Sequence, residues 1–260
     1  MKRYIKSNCK INLKLKIKGI KDNYHLLESI FCPINLYDEM TFEESDKDEV
    51  VGMNIPLNDN IIYKTIVKFK ERYNINRNIK VTIKKNIPMQ AGLGGGSSNA
   101  AFTIRMLNEI FNLDLSIIEM IDFGKTIGSD VPFFIINKPS LVEGRGEIVK
   151  EIKEFSKVYG ILVFDDIFMS TKEVFEIYDT IDKKQNTINL DNDLELVLDS
   201  INEGNKVKEI KNELSNLGCY KVLMSGAGGS VFGLCDKDEI NRIYNSVKVK
   251  YKNVWMFESI

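Results

Sequence analysis

Between residues 10 and 18 the chain reads KINLKLKIK, with apolar Ile11, Leu13, Leu15 and Ile17 alternating with polar residues. A period of two turns one face of a strand to a core and leaves Lys10, Asn12, Lys14, Lys16 and Lys18 on the other. For lysines in such a row ordinary solvation is the default. Downstream the period changes. Residues 60–73 place Ile62, Ile66 and Phe69 on one helical face, residues 81–83 read as a short strand, and Ala101, Ile104, Leu107, Ile110 and Phe111 mark the inner face of a second helix. A third is expected to open at Ser116 with the box Ser-Ile-Ile-Glu, where Glu119 reaches back to the cap, and to stop near Gly128. In the second half residues 158–164 form an apolar strand, and Ser170-Thr171-Lys172-Glu173 opens another capped helix. Helical periods cover 193–201, 207–217 and 239–249. Residues 221–235, KVLMSGAGGSVFGLC, set two short strands around Gly226, Gly228 and Gly229, a tight turn for which a hairpin is a sufficient reading. A division near residues 150–157 gives two units, 1–153 and 154–260.

The segment that no periodicity explains is Pro88-Met89-Gln90-Ala91-Gly92-Leu93-Gly94-Gly95-Gly96-Ser97-Ser98. Its glycines permit left-handed backbone and close approach, so that several N–H groups can point at one anion. Ser97 and Ser98 are candidate N-caps of the helix that follows, whose positive dipole end would face the same anion. The loop is not a Walker A sequence, because no lysine follows the glycines, and Ser97 stands where a dinucleotide fingerprint needs its third glycine. A plain turn needs only one or two glycines.

Composition narrows the classes. A chain of 260 residues buries a full core. With 28% charged residues and a net charge of −1, no global field favours nucleic acid or an anionic membrane. The apolar runs are too short to cross a bilayer, and the basic start has no continuous apolar stretch of a signal peptide. Cysteines at 9, 32, 219 and 235 form no metal-binding spacing and read as free thiols of a reducing cytoplasm. Asp130, in GSDVPFF, follows a helix stop and precedes an apolar run read as a strand, a setting in which aspartate is more often a turn or cap residue than a catalyst.

Taken together, PMQAGLGGGSSNAA, the NCKINL strand before it and the SGAGGSVFG turn after it resemble the three-motif pattern of the GHMP kinases. Within that superfamily the chain is most similar to the 4-diphosphocytidyl-2-C-methyl-D-erythritol kinase family. The matching elements are Lys10-Ile11-Asn12-Leu13, Asp22-Asn23-Tyr24-His25, Ala91 to Ser98, Gly128-Ser129-Asp130-Val131-Pro132-Phe133 and Asn192-Asp193-Leu194-Glu195, in order from about residue 7 to residue 235. Asn23 stands in place of the family's glycine, an arginine usual just upstream is missing, and Cys9 replaces alanine; asparagine tolerates the left-handed region better than most residues.

The resemblance implies an α+β fold of two domains with the active site in the cleft between them, ATP with magnesium as cofactors, and a cytoplasmic enzyme acting on a small molecule that carries cytidine diphosphate. It implies monomer or homodimer, without nucleic acid or membrane. Residues 88–98 would hold the ATP phosphates, Asp130 would be the general base and Lys10 its cationic partner. Asn12 and Thr171 would hydrogen-bond the substrate, and Tyr24, His25 and Phe175 would meet the cytosine. Magnesium would arrive with ATP rather than sit in a protein cage, and could touch Ser98. Two other readings stay open: a homoserine or mevalonate-type kinase, and a nucleotide-binding regulator without catalysis.

Overall fold

The computed structural model describes residues 2–181 and 190–260. Strands β1 (Arg3–Lys21) and β2 (Tyr24–Ser45) make one long antiparallel hairpin. Its two-residue turn, Asp22-Asn23, has φ of 51° and 61°, so Asn23 takes the left-handed conformation that glycine would otherwise supply. Register shifts interrupt β1 between Asn8 and Cys9, between Asn12 and Lys14, and between Ile17 and Gly19. These irregularities re-aim side chains, and every residue from Ser7 to Leu13 is buried. The expected solvated face is therefore absent over this stretch: Lys10 is only 4% exposed, because the glycine loop and the helix behind it cover that side.

The chain continues through β3 (Glu49–Val51), α1 (Ile61–Tyr73), β4 (Asn78–Lys84), α2 (Gly95–Phe111), α3 (Ile117–Lys125), α4 (Val131–Ile136), β5 (Ser140–Gly144) and β6 (Ile148–Glu151). These strands order as β3-β4-β2-β5-β6, with β1 on β2, and only the β3–β4 pair is parallel. Asn60 caps α1, and Ser116 with Glu119 forms the capping box expected for α3. The run after Asp130 is a short helix rather than a strand. Val131, Pro132, Phe133, Phe134 and Ile135 are all buried in it, and a helix apolar on every side shows no period that would separate it from a buried strand.

A second sheet, ordered β10-β7-β9-β8, is built from β7 (Tyr159–Val163), β8 (Lys221–Met224), β9 (Val231–Cys235) and β10 (Val254–Glu258). Helices α5 (Thr171–Thr180), α6 (Gly204–Asn216) and α7 (Ile240–Lys250) accompany it, and Asp193–Asp199 is a 3-10 segment, not the α-helix read over 193–201. Each sheet has its own helical core, and a third core joins them: Cys9, Ile11 and Ile34 pack with Leu162, Phe232 and Phe257. Single bridges between Leu15 and Asn192 and between Ile34 and Ser259 tie the same surfaces together. All four cysteines are buried and free. Among the described residues no helix is long and apolar enough to cross a membrane.

Candidate active site

Asp38, fully buried on β2, fixes how the chain leaves β4. Its carboxylate accepts the amides of Asn86 and Ile87 at 2.8 and 2.9 Å, the Asn99 side chain at 2.9 Å, and the Lys85 ammonium. From there the glycine loop is gripped by its carbonyls. The Ala91 carbonyl accepts from Ser230 Oγ at 2.7 Å, that of Gly92 from Lys10 Nζ at 2.7 Å and Ser225 Oγ at 3.1 Å, and that of Leu93 from the Lys10 amide at 3.0 Å. No peptide among the described residues is cis, so each anchored carbonyl sends the next N–H the opposite way. Among the described residues the amides of residues 92–97 make no hydrogen bond. Such a run at the head of a 17-residue helix has the donor geometry with which backbone can bind an anion.

The N-cap of α2 is Gly94, at φ 68°, not Ser97 or Ser98. Ser98 falls inside the first helical turn, fully buried, its hydroxyl donating to the Asn8 carbonyl at 2.5 Å beside Ser7 Oγ. It faces the core, which removes it from any contact with a metal ion; Ser97 is the serine that lines the cleft. The backbone around Gly92 is crowded: a Cβ there would lie 2.0 Å from the Ser225 carbonyl oxygen. The second glycine turn, 226–229, thus packs backbone against backbone on the first.

The cleft below measures about 2140 Å³, roughly twice what one small ligand occupies. Lys10 reaches its floor, held by Asn12 Oδ1 at 2.5 Å and lying 4.9 Å from the Phe31 ring centroid; Asn12 in turn donates to Ser29 at 2.9 Å. Asp130, at the head of α4, lines the same floor and makes no hydrogen bond or ion pair among the described residues. Burial pushes its carboxyl above the usual range, and the Lys10 charge pulls it part of the way back. Lys10 shifts down, by burial first, with Asp130 and then Cys9 opposing.

At the other end stand Tyr24 and His25, just past the hairpin turn, and Thr171 and Phe175 on α5. The rings are already engaged. His25 stacks on Phe175 at 4.5 Å and 28°, and the Arg145 guanidinium lies 3.8 Å from the centroid of the Tyr24 ring.

Three comparisons now bear on this geometry. A family model described as GHMP kinases N terminal domain matches residues 60–138, and one described as GHMP kinases C terminal matches residues 183–253. A Clostridium tetani protein named 4-diphosphocytidyl-2-C-methyl-D-erythritol kinase is 37% identical over 98% of this chain and 99% of its own. The chain belongs to the GHMP kinases, and among them to the 4-diphosphocytidyl-2-C-methyl-D-erythritol kinase family. A Bacillus cereus protein of that name is 35% identical over 95% of this chain and 93% of its own. A crystal structure of 4-(cytidine 5'-diphospho)-2C-methyl-D-erythritol kinase shares the fold, with a TM-score of 0.85, 24% identity and coverage of 100% of this chain and 99% of that one. Mevalonate kinase from Methanococcus jannaschii shares it at a TM-score of 0.76 and 15% identity, over 100% of this chain and 99% of that one.

In this GHMP kinase the Asn192-Asp193-Leu194-Glu195 motif has a structural explanation. Asn192 donates to the Met224 and Gly226 carbonyls at 2.9 Å, Glu195 accepts the Met224 amide at 2.7 Å, and Asp193 accepts the Ile17 amide at 2.9 Å. The motif pins the second glycine turn to β1. Sequence reading did not single out Asp38, Ser225, Ser230 or Arg145. Asp38 is one acid among 37 Asp and Glu residues, and the two serines are meaningful only once both turns are known to touch. Arg145 lies in a Gly-Arg-Gly tripeptide between β5 and β6, a composition that marks a turn and no ligand.

Proposed function

We propose that this small-molecule kinase transfers the γ-phosphoryl group of ATP to the 2-hydroxyl of 4-diphosphocytidyl-2-C-methyl-D-erythritol, a step in making isoprenoid precursors by the non-mevalonate route. The observation that carries this reading is that Lys10, Asp130 and a run of unbonded amides line one cleft large enough for two nucleotides. Residues 92–97 bind the phosphates of ATP. Asp130, with no competing partner, accepts the proton of the attacking hydroxyl, and its raised proton affinity suits it to that work. Lys10, tethered to Asn12 and the Gly92 carbonyl, holds positive charge where the hydroxyl gains alkoxide character. Transfer of this kind depends on positioning and charge far more than on covalent chemistry from the protein.

Magnesium, when bound with ATP, would neutralise phosphate charge, and Ser97 is a cleft-lining hydroxyl beside the loop that would hold those phosphates. Thr171, Tyr24, His25 and Phe175 bind the cytidine end, and Asn12 orients Lys10 beside the methylerythritol. The units 1–153 and 154–260 contribute the phosphate loop and α5 respectively. Free buried thiols and the use of ATP favour the cytoplasm.

The test is ATP consumption with magnesium and the full substrate, beside methylerythritol phosphate lacking the cytidine half, mevalonate and homoserine. Turnover is expected only with the cytidine-bearing alcohol. Equal or faster turnover of mevalonate or homoserine would overturn the assignment.

A further inference from the structure

Helix α5 presents three residues at intervals of one turn, Thr171, Phe175 and Asp179, and all three line the cleft. The last of them meets the chain's single histidine: Asp179 Oδ1 lies 2.8 Å from His25 Nε2. A carboxylate accepts hydrogen bonds and cannot donate them, so the neutral imidazole paired in this way carries its hydrogen on Nε2. Nδ1 is then the acceptor, and no other hydrogen bond to the ring occurs among the described residues. Stacking on Phe175 at 4.5 Å, with the Tyr178 edge at 6.4 Å, fixes the plane of the ring as well.

We propose that Asp179 is a specificity-determining positioning residue: by locking His25 with Nε2–H towards the helix, it leaves an acceptor for the base and so selects cytosine over uracil. This rests on the reading that His25 meets the substrate's base. Cytosine offers an exocyclic amine that donates, whereas uracil has a carbonyl oxygen at the same place, which would set acceptor against acceptor. A site whose polar group is left facing a like group rejects a ligand far more strongly than a missing methylene would. Asp179 touches no reacting atom. Its effect passes through the tautomer and aim of His25.

The experiment compares kcat/KM for the cytidine substrate and its uridine counterpart in the wild type, Asp179→Ala and Asp179→Lys. Asp179→Ala removes the lock, and Asp179→Lys places a group that only donates beside Nε2. The cytidine-to-uridine ratio is expected to fall about tenfold or more in Asp179→Lys and by less in Asp179→Ala, with the KM for ATP unchanged. Because the chain holds one histidine, a long-range proton–nitrogen NMR spectrum of the whole protein reports its tautomer directly. In alkaline solution, where the imidazole is neutral, the wild type should show the Nε2–H form and Asp179→Lys a shift towards Nδ1–H. A variant that keeps both the ratio and the Nε2–H form overturns the role of Asp179 while leaving the kinase reading in place. Failure of the wild type to use the cytidine substrate at all overturns the reading beneath it, whatever the spectrum shows.

Discussion

The two ends of the cleft are built in opposite ways. At the glycine-loop end backbone meets backbone: residues 90–92 lie against the 225–230 turn, three successive carbonyls are bonded, and Lys10, Asn12, Ser98 and Asn99 are buried. At the end lined by Tyr24, His25 and α5 the contacts are between side chains, with Tyr24 55% exposed beneath Arg145. The glycine-loop end is held by backbone contacts and buried side chains, so little reorganisation is needed when charge moves there. The other end is lined by side chains that can shift at small cost. Rate should therefore depend on the first region and selectivity on the second.

The largest effect should come from disturbing the interlock. Gly92→Ala sets a Cβ 2.0 Å from the Ser225 carbonyl at a φ of 72°, and neither backbone can yield without parting the two turns. A loss of about 3 kcal/mol or more in folding stability is expected, with ATP binding lost together with it; denaturant unfolding and a nucleotide titration check both. If Gly92→Ala were as stable as the wild type, the two turns would not be the rigid unit described here. A smaller change is expected at the other end. Phe175→Ala removes the ring on which His25 stacks, and should raise the KM for the cytidine substrate about tenfold, leaving kcat and the KM for ATP within about twofold. A fall in kcat as large as the rise in KM would mean that the ends are not separable.

How far the sequence reaches follows the same division. The glycine loop was legible from its local composition, whereas Lys10, Asp130, Thr171 and Phe175 were singled out only through the family resemblance, the one-turn spacing of the last two adding that they share a helix face. Asp179 lies one turn further on the same face, within reach of that spacing argument. What stayed hidden was either long-range or ambiguous in period. Asp38 acts on residues 47 to 61 positions away, and Ser230 on a carbonyl 139 positions away. The buried side of β1 depended on irregularities in its pairing, which alternation alone cannot reveal. Residues 131–136 read as a strand because a short, wholly apolar run has no polar face to show its period. Ser98 followed the usual preference for serine at a cap, but Gly94 in the left-handed region starts the helix earlier and turns that hydroxyl into the core.

The central claim is that Asp130 removes the proton of the attacking hydroxyl on a floor already charged by Lys10. Single-turnover phosphoryl transfer, followed across pH for the wild type and Asp130→Asn at saturating ATP, tests it most directly. The wild-type rate should rise with pH as Asp130 ionises, at a midpoint above the usual aspartate value of about 3.9, and fall again on the alkaline side as Lys10 loses its proton below the usual lysine range. Asp130→Asn should be slower by about 10² to 10⁴, lack the acid limb, and bind ATP as the wild type does. A variant within a few-fold of the wild-type rate that kept the same acid limb would contradict the account.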